Sequence, residues 1–153
     1  MKKFTLLFSM LFVLAISSQL KAQNYNKAIG LRLGYPNAID YKFFMSESNA
    51  VELYLGLRYD GINFGGMYEI HKPLSDAEGL SWYWGAGASL SFYSYYVDEN
   101  ETSFGINGVI GLDYTFQDAP INLSIDYMPT FLIGGYYDGF GSYGGLSARY
   151  ILN

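Results

Sequence analysis

The chain of 153 residues contains no cysteine, which excludes a disulfide scaffold, a thiolate metal centre and a catalytic thiol. It also lacks, for the same reason, the residue that carries the lipid of a bacterial lipoprotein. Charge is scarce at 15% of residues, and the balance is acidic, with 9 Lys and Arg against 14 Asp and Glu. Phosphate binding needs clustered Lys and Arg, so nucleic acid is not an expected partner. Apolar runs of any length are confined to the extreme N-terminus. After it no helical stripe persists, which argues against an α-helical body.

What the chain does hold is aromatic and glycine-rich: 16 Tyr, 11 Phe and 18 Gly, in a sequence that is 50% hydrophobic. Aromatic side chains favour strands, and glycine suits turns and close backbone approaches. Tyrosine in such numbers fits positions with one apolar and one wet end. The composition points to a single all-β domain.

The N-terminus reads as a leader. Lys2 and Lys3 precede the apolar stretch from Phe4 to Ile16, and Ala22 stands before the polar Gln23. A positive start, a short apolar core and a small residue at the cleavage point describe a secretory signal peptide, expected over residues 1–22. The apolar run is shorter than the roughly 20 residues that span a bilayer as a helix. Removing Lys2, Lys3 and Lys21 leaves 6 basic residues (9 less 3) against 14 acidic ones, a net charge of −8 over residues 23–153.

From there the recurring signal is period two, in eight segments. Leu31 and Leu33 alternate with Arg32; Ile39, Tyr41 and Phe43 with Asp40 and Lys42; Leu53, Leu55 and Leu57 with Glu52 and Arg58. Tyr68 and Ile70 alternate with Glu69 and His71, and Leu112 and Tyr114 with Asp113. Ile125 and Tyr127 flank Asp126, while Ala148 and Tyr150 flank Arg149. Most segments approach the 9–11 residues that a tilted strand needs to cross a bilayer. Breaks of turn character separate them, including Pro36-Asn37, Asp60-Gly61, Pro73 to Gly79 and Gly134 to Ser142.

The apolar series carries no charge. Arg32, Asp40, Lys42, Glu52, Arg58, Glu69, His71, Asp113, Asp126 and Arg149 all fall on the opposite face. A soluble barrel should show the reverse. An apolar exterior around a polar interior suits lipid outside, where a closed sheet satisfies every backbone group. The expected fold is therefore an eight-stranded antiparallel up-and-down transmembrane β-barrel. Two aromatic bands agree with interfacial girdles: Phe43, Tyr68, Trp82, Trp84, Tyr114, Phe116 and Tyr150 at one rim, and Tyr35, Tyr59, Phe92, Phe104 and Phe131 at the other.

Three stretches carry a likeness: Gly30 to Tyr35 (GLRLGY), Trp82 to Gly87 (WYWGAG) and Ile121 to Tyr127 (INLSIDY), with the closing run Gly145 to Leu152. On these the chain resembles the outer-membrane β-barrel domain family of Gram-negative bacteria, including small OmpA/OmpX-type barrels, over about residues 27–153. The resemblance implies residence in the outer membrane, with membrane lipid and the barrel-insertion machinery as partners. The last strand looks like the segment that this machinery reads, although this chain ends in Asn153 rather than an aromatic residue.

An interior of eight strands is about wide enough to be filled by side chains. The ten inward groups named above are therefore expected to form a structural polar network, since buried charges need partners. A structural or surface-interaction role follows, with no surface ligand, cofactor, metal ligand or catalytic residue assigned. The alternative is a lipid A acyltransferase or deacylase with His71 as base beside Glu69, which would also need a nucleophile within reach; a soluble lipocalin-like carrier is the third possibility. Pro129 is expected to mark a bulge or a lateral gap in the seventh strand. The Tyr-rich stretches Tyr93 to Glu101 and Gly134 to Gly145 are expected as outward-facing loops, suited to adaptable recognition or to a hydrated rim. The acids Asp98, Glu99 and Glu101 lack the ordered spacing of a calcium site.

Overall fold

The structure is a computed structural model and describes residues 25–58, 61–94, 100–135 and 138–152. The leader, Tyr59 and the Tyr95 to Glu99 segment lie outside the described residues. Eight strands follow one another: β1 (Lys27–Gly34), β2 (Asn37–Phe44), β3 (Asn49–Arg58), β4 (Gly61–Pro73), β5 (Leu80–Ser94), β6 (Asn100–Thr115), β7 (Ile121–Ile133) and β8 (Gly139–Ile151). Each pairs antiparallel with its neighbour in sequence, and β8 pairs with β1 to close the barrel. No helix occurs among the described residues. The expected all-β, eight-stranded up-and-down barrel is the observed fold.

One rim carries the start of β1, the end of β8 and the turns after β2, β4 and β6; it is termed the terminal rim. The opposite, far rim carries the other ends of the eight strands. Alternation decides which side chains meet solvent or neighbours. Leu31, Leu33, Ile39, Leu55, Phe64, Ile110, Ile125 and Leu146 point outward and are exposed, while Arg32, Asp40, Glu52, Asp113, Asp126 and Arg149 point inward and are buried. Outward charge on the strands is confined to their ends at the terminal rim, at Lys27 and Lys72.

Three local expectations are corrected. The segment from Gly139 to Ser142 is strand and not loop: β8 begins at Gly139, opposite Leu132. Its glycines, at Gly139, Gly141, Gly144 and Gly145, mask the apolar alternation from which strands are read. The start of β6 likewise takes in Asn100 to Thr102. Pro129 makes no bulge: Asn107 faces Thr130 and Ile110 faces Tyr127, with two residues between these pairs on each strand. The register is kept, and the intervening ladder pairs with β6 are missing, because proline has no N–H to contribute. Pro129 remains paired with Ser142 of β8 on its other side.

Candidate functional site: the barrel interior

The inward side chains sort by height into three layers. Near the terminal rim, Lys42 of β2 lies between Glu52 of β3 (Nζ to Oε2, 2.9 Å) and Glu69 of β4 (Nζ to Oε2, 2.8 Å). Arg149 of β8 reaches across to Asp40 (2.7 Å) and Glu52 (2.8 Å) through Nη2, and its Nη1 donates to Ser124 Oγ (2.8 Å) and Asn122 Oδ1 (3.2 Å). Asn122 Nδ2 in turn donates to Asp113 Oδ1 at 2.6 Å. Arg32 grips Asp126 with both terminal nitrogens, and Tyr83 donates to the same carboxylate at 2.9 Å. Charges taken out of water require this density of partners, since an unpaired one costs several kcal/mol.

His71 belongs to this layer. Its Nε2 lies 2.8 Å from Glu69 Oε2, and its ring stacks on Tyr83 (centroids 4.8 Å apart) and meets the Phe44 ring edge-on at 4.9 Å. The residue is 1% exposed, and Nδ1 has no hydrogen-bond partner among the described residues. A general base needs a nucleophile in reach and a route for substrate; here Nε2 faces Glu69 and rings pack on two sides of the imidazole. Tyr25 and Phe44 cover the layer from the terminal rim, packed with Ala28 and Ile151. Burial, then the carboxylate of Asp113, holds the Tyr25 phenol well above its usual range, so it stays neutral.

Nine of the ten inward groups read from the sequence thus come together. Arg58 stands apart. It is half-buried at the far rim, with its guanidinium 4.4 Å from the Tyr35 ring and 4.9 Å from the Tyr93 ring. Stacking on two aromatic faces is a geometry that guanidinium favours.

Below that rim the interior is polar and uncharged. Asn63 donates to Ser91 Oγ (2.6 Å), Asn107 donates to Tyr54 Oη (3.3 Å), and Ser103 donates to the Gly134 carbonyl (2.6 Å). The space left among Tyr35, Arg58, Asn63, Tyr93 and Thr130 is about 20 Å³, enough for roughly one water.

Between the two polar layers lies an apolar one, which the sequence pattern does not mark. Ala38, Tyr54, Met67, Val109 and Met128 pack together and against Tyr83, with Tyr143 at their edge. On β2, β3, β4, β6 and β7 the member of this layer separates a charged inward residue from the far half: Ala38 next to Asp40, Tyr54 next to Glu52, Met67 next to Glu69, Val109 beyond Asp113, and Met128 next to Asp126. Glycines make room for it: a Cβ at Gly65 would stand 2.4 Å from the Tyr54 ring. The visible trace is an apolar residue on an otherwise polar face, at mid-strand on β3, β4, β6 and β7 and near the start of β2, but grouping the five requires the register.

Together these observations define a small closed β-barrel with buried charged groups inside and an apolar outer wall. No family model matches the chain, and no curated protein matches it. Among solved structures it is similar to the N-terminal β-barrel domain of Pseudomonas aeruginosa OprF, with a TM-score of 0.62 and 14% identity over 85% of this chain and 100% of that one. At this identity the likeness speaks for the fold.

Proposed function

We propose that the protein is a small integral outer-membrane β-barrel with a structural or surface-interaction role and a filled interior that does not conduct. The observation that carries this reading is the inverted distribution of polarity. Leucine, isoleucine and phenylalanine cover the outer wall along its whole height, and the buried ionised groups point to the axis. In water such a wall would be a very large apolar surface, far beyond the few hundred Å² that soluble monomers expose. In lipid it is the expected exterior, and barrel closure leaves no strand edge unpaired. Outward Trp82, Trp84, Tyr114, Phe116 and Tyr150 towards the terminal rim, with Lys27 and Lys72 beyond them, suit a membrane interface.

The similarity to the OprF barrel domain supports the same reading. A carrier of apolar ligands would need an apolar cavity, whereas this lumen is packed with ion pairs and leaves about 20 Å³ in its far half. The test is fractionation of cells expressing the full chain, followed by gel mobility of heated and unheated samples. Recovery in the outer-membrane fraction with a heat-dependent shift is expected. Recovery in the soluble periplasmic fraction without detergent would refute the proposal.

A further inference from the structure

A barrel interior can be sealed by ion pairs that bridge the lumen or by a dry layer that water cannot cross. Both arrangements are present here, at different heights. The ion pairs of Lys42, Glu52, Glu69 and Arg149 span from β2 to β8, but each is also a polar group that water can solvate. The apolar layer offers no such partner. Met67, Val109 and Met128 are each no more than 7% exposed and are contributed by β4, β6 and β7, while Ala38 and Tyr54 complete the layer from β2 and β3. Tyr54 within it and Tyr83 packed against it turn their hydroxyl groups away from the layer. Tyr54 Oη accepts from Asn107 on the far side, and Tyr83 Oη donates to Asp126 on the terminal side.

We infer that this Ala38–Tyr54–Met67–Val109–Met128 layer is a hydrophobic septum, and that it closes the lumen to ions independently of the charged network. A constriction lined by apolar side chains blocks ions by excluding the water they travel in. The fully buried charges of β2, β3, β4, β6, β7 and β8 lie on its terminal side; Arg32 of β1 stands opposite Ala38 in the ladder and sends its guanidinium to Asp126, and the buried polar groups on the far side are neutral. The septum therefore divides a compartment of buried ion pairs from one whose fully buried groups are neutral. The neutral buried groups lie towards the far rim, which half-buried Arg58 and Glu101 line. Water entering from that rim meets hydroxyl and amide groups first, then thioether and aliphatic carbon.

The inference rests on the barrel being a membrane protein with a closed lumen, and the experiment separates the two. Full-length wild type, the septum variant Met67→Ser/Val109→Ser/Met128→Ser and the network variant Glu52→Gln are reconstituted in planar bilayers after each has shown the heat-dependent gel shift of a closed barrel. The wild type and Glu52→Gln are expected to be silent, while the septum variant shows discrete ohmic openings. A silent septum variant that is correctly folded overturns the inference, as does conduction by Glu52→Gln. Steady conduction by the wild type would instead overturn the closed-lumen reading itself. Should the triple variant fail to fold, Met67→Ser/Met128→Ser is measured in its place: openings support the septum, and silence overturns it.

Discussion

Arg32 of β1 and Asp126 of β7 are 94 positions apart in the chain and are joined by two hydrogen bonds, with β8 lying between their strands. Both side chains are at most 3% exposed. A guanidinium fork on a carboxylate is the strongest of the ordinary charged contacts because its two bonds are parallel and fixed in plane. Here it braces the closure of the barrel, where β1 and β8 meet. Asp126→Ala leaves Arg32 buried without its partner, and breaking a buried pair in this way costs about 3–5 kcal/mol. Urea unfolding in lipid vesicles should show that loss. The double replacement Arg32→Met/Asp126→Leu should recover most of it, since it removes the orphaned charge as well.

The same guanidinium needs Gly145. A Cβ there would lie 2.8 Å from Arg32 Cζ and 2.9 Å from Nε. Gly145→Ala must therefore push the fork off Asp126, and overpacking of this kind costs about 1–3 kcal/mol. In a double-mutant cycle with Asp126→Asn the two effects should be clearly less than additive, because both act on one contact. Additive effects would show that Gly145 acts elsewhere.

Much of this architecture is legible in the sequence. The strict alternation around Arg32, Glu52, Asp126 and Arg149 announces strands, and the absence of charge from the other face announces which side is lipid-like. Period two survives without knowledge of neighbours, so strand number and facing are readable. Height is not. Whether Met67, Val109 and Met128 share one level depends on strand register, which a single strand does not encode. Likewise Arg58 has the same parity as Glu52 on β3, but three steps of alternation carry it to the far rim, away from the ion pairs. Glycine hides the start of β8, where Gly139, Gly141, Gly144 and Gly145 leave few side chains to show a pattern. Pro129 is ambiguous for a different reason: proline signals a lost donor, and sequence does not say whether the chain answers with an extra residue or a gap.

The outer wall makes its own prediction. Ala88 lies on the outward face of β5 near the strand's middle, opposite Gly66 of β4 and Ile106 of β6. Leu80 begins the same strand at the terminal rim. If the wall faces lipid, Ala88→Arg should cost about 2–4 kcal/mol of folding stability in vesicles, and Leu80→Arg about 0–1 kcal/mol. Equal effects at the two positions would count against a bilayer around the barrel.

His71 offers a last test, one that separates packing from chemistry. Its ring fills the space between Phe44 and Tyr83 while Nε2 binds Glu69. His71→Phe preserves the stacking but removes the polar contact, leaving Glu69 with Lys42 as its remaining charged partner at 2.8 Å. Since the Lys42 pair persists, the change should cost about 1–3 kcal/mol, the range for a buried polar group losing one partner. His71→Ala loses the rings' contacts in addition and should be the less stable of the two. If the histidine served instead as a base towards lipid A, both variants would abolish a mass change in lipid A that the wild type produces. The expected result is that lipid A incubated with wild type, His71→Phe or His71→Ala gives the same mass spectrum, while the three proteins differ in their urea midpoints.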